Sequence, residues 1–281
     1  MDGRRLADRV RAEVSAEAAE LGRVTLATVL VGDDPASHVY IGHKHRAASE
    51  IGIEPRDLRL SAESEEDEVL SLVDDLNADD EVDGVLVQLP LPPHMDEARV
   101  TAAIDPMKDV DGLHPFNAGQ LYLGRRTFVP ATPLGIMRLL DEYRIQTAGA
   151  RAVVVGRSQI VGKPVAMLLL QGNATVTICH SQTDDLRRHT ADADILVAAV
   201  GLAGVITRDM VKQGATVIDV GITRTDAGLV GDVDPGAAEV AGHITPVPGG
   251  VGPLTVALLL ENTVRAAKYR RGVLAFPRTQ G

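Results

Sequence analysis

Val153-Val154-Val155-Gly156-Arg157-Ser158-Gln159-Ile160-Val161-Gly162 reads as the end of a buried strand, a glycine turn and the start of a helix. In a doubly wound α/β sheet, that is where the N–H groups of a helix N-terminus receive a pyrophosphate. Ser158 stands where the second glycine of the G-x-G-x-x-G pattern would be. The stretch therefore also fits an ordinary strand-to-helix turn in which glycine permits tight packing. The strand that follows bears on which dinucleotide is bound. It ends Thr177-Ile178-Cys179-His180-Ser181-Gln182, with no carboxylate to hold a ribose 2′-hydroxyl. A 2′-phosphate would be welcomed there by Arg157, Ser158 and Ser181, so the expected cofactor is NADP rather than NAD.

Outward from this turn the alternation of strand and helix continues. Apolar runs predict strands over 152–155, 174–179, 195–200 and 216–220, with a helix over 162–170. Upstream, Leu6, Val10, Val14, Ala18 and Leu21 recur at helical spacing and predict a helix over 3–21. A buried strand over 25–31 leads into Gly32-Asp33-Asp34-Pro35. A helix over 36–50, a short strand near 56–60, an acidic amphipathic helix over 64–76 and a buried strand over 82–89 follow. Residues 105–131, rich in Gly, Pro, Asp and Asn, resist a regular assignment and suggest a functional loop. Thr132 then caps a helix over 132–143 with Pro133 in its first position. A last helix over 253–269 is expected to pack back on the first domain. The expected fold is α/β with two domains: a catalytic α/β domain of residues 1–131 plus 253–281, and a Rossmann-type doubly wound parallel sheet of residues 132–252. The active-site cleft is expected between them.

Composition narrows the function. Of the 281 residues 45% are hydrophobic but only 2% aromatic, with no Trp, so the core rests on aliphatic side chains, as in buried parallel strands. A net charge of −11 disfavours nucleic acid and anionic membranes as partners. Cys179 is the one cysteine, so no intrachain disulfide is possible. Residues 1–21 are too acidic for a leader peptide, and no apolar run has the length of a membrane span. The expected location is cytoplasmic.

Several residue sets carry chemistry. Tyr40 and Lys44, four apart on a predicted helix, share a face, and partial burial would lower the lysine pKa toward neutrality. The same spacing fits an amphipathic helix with a snorkelling lysine. His43, His45 and Arg46 form either a positive patch for a carboxylate-bearing substrate or a solvated face. Gln88 ends a parallel strand, where open α/β sheets bind ligands, or it caps backbone nearby. In Lys108-Asp109-Val110-Asp111-Gly112 the carboxylates could bind a metal or a guanidine-like ring edge, or shape an Asp-Gly turn. No His/Cys cluster supports a metal site, and none is expected. Pro246-Val247-Pro248-Gly249-Gly250-Val251-Gly252-Pro253 lets backbone approach a flat ligand closely.

Taken in order, residues 31–37 with Tyr40 and Lys44, 84–92, 108–112, 156–164 and 245–255 resemble the bifunctional methylenetetrahydrofolate dehydrogenase/cyclohydrolase family. The resemblance implies a folate substrate, oxidation of 5,10-methylenetetrahydrofolate with NADP, and hydrolysis of the methenyl product to 10-formyltetrahydrofolate. It implies that Lys44 is the catalytic lysine, that Tyr40 stacks by the folate, that Gln88 tunes Lys44 and that Asp111 holds the pterin ring. Gly156, Arg157, Ser158, Ser181 and Ile222 would contact NADP, and the loop carrying Gly250 would line the substrate cleft. A homodimer through the Rossmann domain, around 174–179, is implied as well. Ala131, Leu134, Gln182 and Thr223 depart from the family pattern outside the catalytic set, and the missing charge at Gln182 would soften the NADP preference. Two rivals stand against this reading: a dehydrogenase of another substrate on a related fold, and a catalytically silent nucleotide- or folate-binding regulator.

Overall fold

A computed structural model describes residues 1–125, 127–226 and 228–277, the side chain of Ala36 excepted. The chain runs α1 (Gly3–Leu21), β1 (Val24–Val31), α2 (Pro35–Glu50), β2 (Ile53–Leu60), α3 (Glu66–Ala78), β3 (Gly84–Val87), α4 (Glu97–Ala103), α5 (Pro115–Tyr122) and α6 (Ala131–Glu142). It continues through β4 (Arg151–Val155), α7 (Gly162–Gln171), β5 (Thr175–Cys179), α8 (Leu186–Thr190), β6 (Ile195–Ala198) and β7 (Thr216–Asp219). The short strands β8 (Thr223–Thr225), β9 (Gly228–Val230) and β10 (His243–Ile244) precede the last helix, α9 (Gly252–Arg270). Among the described residues no helix is long and apolar enough to cross a membrane.

Contacts divide the chain into two units, Arg9–Pro130 with Val256–Gly281 and Met1–Asp8 with Ala131–Thr255. Residues 1–8, expected in the first unit, join the second. There the Met1 ammonium donates to Ile244 O at 2.6 Å and Gly3 N donates to Gly249 O at 3.0 Å.

In the first unit the sheet order is β2-β1-β3, all parallel. Every residue of β1, Val-Thr-Leu-Ala-Thr-Val-Leu-Val, is buried, as a central strand covered on both faces requires. One core face joins Ala27, Val29 and Val31 to Val69, Val73 and Leu76 of α3. Truncating Val69, Val73 or Leu76 to alanine would cost on the order of 2–4 kcal/mol. The stretch 105–131, expected to be irregular, contains α5. His114 Nδ1 accepts from Phe116 N at 3.0 Å and Pro115 occupies the first position, so a cap and a preset φ offset the poor helix formers Asn117 and Gly119.

The second unit is a parallel five-stranded sheet ordered β10-β7-β6-β4-β5. From β4 the chain goes to β5 on one side and returns to β6 on the other. The switch in direction therefore lies beside the carboxyl end of β4, where sheets of this kind bind ligands.

Candidate active site

Asp34 fixes the start of α2: its carboxylate accepts from Ser37 N at 2.9 Å and Ser37 Oγ at 2.8 Å, and Pro35 follows it. Lys44 lies three turns along. β3 ends beside β1, with Gln88 N donating to Val29 O at 2.9 Å, and this brings Gln88 to Lys44. Lys44 Nζ donates to Gln88 Oε1 at 3.0 Å, while Gln88 Nε2 donates to Leu89 O at 2.7 Å. The second bond aims the amide oxygen at the amine. Burial pushes the Lys44 pKa below its ordinary value, and the nearby Asp111 charge opposes that fall. Tyr40 shares the helix but is 53% exposed, and its hydroxyl forms no hydrogen bond among the described residues. The amine's partner is Gln88, not Tyr40.

His45 does not belong to a positive surface patch. Its Nε2 lies 2.6 Å from the buried Thr28 hydroxyl, and burial lowers its pKa, so the ring is held neutral inside the unit.

The structure separates the charged residues of 108–111. Lys108 is buried, and its Nζ donates to Leu76 O, Asn77 O and Asp79 O at 2.7, 2.8 and 2.8 Å. It closes the carboxyl end of α3, whose last carbonyls lack helical partners. Asp109, also buried, accepts from Leu113 N, His114 N and Asn117 Nδ2 at 3.2, 2.9 and 2.8 Å. Asp109 shapes the loop. Asp111 makes no hydrogen bond among the described residues. Desolvation raises its pKa to about 6 against the pull of Lys44. Sequence reading missed what holds it: Asn262 of α9, fully buried, donates through Nδ2 to Val110 O at 2.8 Å and Val129 O at 3.0 Å. A lone amide in the apolar run of α9 was the available signal.

In the second unit, Gly156 has φ +125°, and a Cβ there would fall 2.2 Å from Ala199 O. A Cβ on Gly162 would fall 2.3 Å from Gly156 O. Only glycine allows α7 to start so close to the turn. Ser158 Oγ accepts from Val161 N at 3.2 Å and Gly162 N at 3.3 Å, capping α7 and leaving its hydroxyl hydrogen free to donate. Pairing of Val155 with Cys179 sets Arg157 and Ser181 two residues beyond neighbouring strand ends, both exposed. Neither makes a hydrogen bond or ion pair among the described residues. Ile222 is 44% exposed beyond β7. A cradle that a Cβ would fill, a helix N-terminus and an unpaired guanidinium fit a dinucleotide phosphate. Gly250, expected to face substrate, is buried in this second unit: Gly250 N donates to Pro246 O at 2.8 Å, and a Cβ on Gly3 would fall 1.7 Å from its oxygen.

Comparison with known proteins matches two family models. Residues 1–111 match the tetrahydrofolate dehydrogenase/cyclohydrolase catalytic domain and residues 130–271 its NAD(P)-binding domain. The chain is 54% identical to bifunctional protein FolD of Paraburkholderia phytofirmans over 274 residues, 95% of this chain and 96% of that protein. The crystal structure of FolD from Campylobacter jejuni, a methylenetetrahydrofolate dehydrogenase/cyclohydrolase, is similar at 45% identity and a TM-score of 0.94, covering 96% of this chain and 98% of that one. The Trypanosoma brucei enzyme, solved with NADP cofactor and inhibitor, is 39% identical with a TM-score of 0.92, covering 98% of both chains.

Proposed function

Since the chain belongs to the tetrahydrofolate dehydrogenase/cyclohydrolase family, we propose that Lys44 handles the protons of a bifunctional enzyme. That enzyme oxidises 5,10-methylenetetrahydrofolate with NADP and hydrolyses the 5,10-methenyl product to 10-formyltetrahydrofolate. The observation that carries the reading is the half-buried Lys44 amine, held at 3.0 Å by the neutral oxygen of Gln88. A neutral acceptor fixes the position of the amine without raising its proton affinity as a carboxylate would.

The chemistry supplied by bound NADP is uptake of a hydride from the methylene carbon. Gly156 leaves room for the pyrophosphate and Ser158 donates its free hydrogen. Arg157 and Ser181 meet the 2′-phosphate, and Ile222 offers an apolar contact. In the hydrolytic step Lys44, as the free amine, takes a proton from the water that attacks the methenyl carbon. The resulting ammonium returns a proton to N5 as the carbon–N5 bond breaks. One proton of the water ends on N5, the other leaves to solvent, and the formyl group stays on N10. Asp111 holds the pterin edge and Tyr40 packs against the folate. Gly250, engaged within its own unit, shapes the Pro-Gly loop that carries it.

The proposal includes a cytoplasmic location and a homodimer. β5 ends the five-stranded sheet with one ladder edge unpaired and with Thr177 and Ile178 exposed, and an unpaired edge invites a second copy. The test of the catalytic reading is Lys44→Ala. Methenyltetrahydrofolate hydrolysis, followed by the loss of methenyl absorbance, should fall to the uncatalysed rate while NADP still binds. Full hydrolysis by this variant rejects the role.

A further inference from the structure

Two buried carboxylates in the second unit lie outside every role given so far. β6 is followed, after Ala199, by Val200-Gly201-Leu202 and β7 directly by Val220-Gly221-Ile222, the same valine-glycine-apolar pattern one residue out of step on neighbouring strands. Each presents an apolar side chain to solvent, Leu202 at 62% and Ile222 at 44% exposure. Each is tethered by an aspartate. Asp232, fully buried, accepts through Oδ2 from Val200 N at 2.7 Å and Gly201 N at 3.1 Å. Asp219, 5% exposed, accepts through Oδ1 from Gly221 N at 3.2 Å and Asp232 N at 2.9 Å, and through Oδ2 from Val233 N at 3.1 Å. Its own N–H donates to Thr245 Oγ1 at 2.7 Å, where the Pro-Gly loop begins.

The two tethers interlock. A Cβ on Gly221 would fall 1.9 Å from Asp232 Oδ1, and one on Gly231 would fall 1.8 Å from Asp219 Oδ2. Both positions admit only glycine. Asp219 and Gly231 also line a cavity of about 540 Å³, together with Ala203, Gly204 and Val247. Burying two carboxylates costs free energy that packing alone would not require.

We infer that Asp219 and Asp232 are positioning residues for the nicotinamide half of the cofactor, acting through the Gly221 and Gly201 N–H groups to present Ile222 and Leu202 as paired apolar contacts. The direction follows from topology. With the pyrophosphate at the β4–α7 turn and the 2′-phosphate beside β5, the other half of a dinucleotide extends over β6 and β7. The inference rests on the cofactor reading above.

Two ligands separate the possibilities. NADPH spans both halves, whereas adenosine 2′,5′-bisphosphate carries only the half assigned to Arg157 and Ser181. Calorimetry on Asp219→Ala should show NADPH binding weakened about tenfold or more, with the bisphosphate within about twofold of wild type. The fluorescence rise of the bound nicotinamide should shrink in parallel. Asp232→Asn should bind NADPH nearly as wild type, because its amide oxygen can take both N–H groups and its nitrogen replaces Oδ1, which has no partner. Leu202→Ala, at an exposed side chain, keeps the test open if the aspartate variant does not fold, and should show the same selective loss. In Asp219→Ala and Leu202→Ala, equal weakening of both ligands, or of neither, overturns the inference. Wild-type protein that binds NADPH but not the bisphosphate would instead sink the placement of Arg157 and Ser181.

Discussion

Replacing Asp111 by asparagine should make the protein more stable and less active, and the stability gain should depend on pH in a defined way. An unfolded aspartate loses its proton near 3.8, whereas folded Asp111 holds it to about 6 because burial disfavours the charge. Between those values the folded state binds more protons than the unfolded one. Stability therefore falls as pH rises through the window and stays reduced above it. At about 1.36 kcal/mol per pH unit, the carboxylate costs about 3 kcal/mol at neutral and alkaline pH, a figure that already includes the attraction of Lys44. The amide cannot ionise, so it escapes this cost. Asp111→Asn should exceed wild type by about 2–3 kcal/mol at pH 8, roughly 5–10 °C in thermal midpoint for units of this size, and should match it near pH 4. Asp219, also raised to about 6, has the same sign but is present in both proteins and drops out of the comparison. Paired thermal melts at pH 4 and pH 8 measure the gap, and a folate titration should show substrate affinity lost in the variant. Equal stability at pH 8, or a gap of the same size at pH 4, refutes the reasoning.

Three further outcomes follow from the same geometry. Arg157→Ala removes an exposed guanidinium with no ion pair among the described residues, so it should weaken NADP binding about 10–100-fold, change NAD binding less than threefold and leave the thermal midpoint unchanged. Lys108→Met strips three carbonyls of their donor and should cost about 3 kcal/mol in urea denaturation, while methenyl hydrolysis at low temperature persists. A loss under 1 kcal/mol would contradict the capping role. Gln88→Glu puts a charge 3.0 Å from the Lys44 amine and raises its pKa, so the acid limb of the hydrolysis profile should move upward by about one pH unit or more. An unmoved limb would mean that the amine does not titrate in the rate.

The alternating architecture was legible because buried parallel strands leave nearly continuous apolar runs, as 152–155 does and as 24–31 does but for two threonines, and because a doubly wound sheet has few ways to connect them. What escaped was whatever depends on short or capped structure. α5 hides behind Asn117 and Gly119 and depends on a histidine cap that no periodicity reveals. β10 has two residues and exists as a strand only through its pairing with β7. Tyr40 and Lys44 were visible as a helical pair, but the bond that matters joins Lys44 to Gln88, across 44 positions, and closes only because β3 lies against β1. Asp109 and Asp111 are indistinguishable in sequence, as are the two histidines flanking Lys44. Burial and bonding tell them apart.

Lys44 and Lys108 show why the site is written in unused bonding capacity rather than in residue type. Burial lowers the pKa of both, so desolvation alone does not distinguish a catalytic amine from a structural one. The difference is in their donors. An ammonium has three N–H groups. Lys108 directs all of them at carbonyls of the turn after α3, and any proton it gave up would leave a buried acceptor unpaired. Lys44 uses one, on an oxygen that carries no charge, so the others remain for water or substrate and the proton can leave at modest cost. The same test divides Asp109, whose carboxylate is filled by backbone and amide donors, from Asp111, which accepts none among the described residues. It also singles out Arg157, a guanidinium with no partner among the described residues of an acidic protein. Asp111 lies two residues from a carboxylate fully committed to the scaffold, which is what a rigid site with an open bonding position requires.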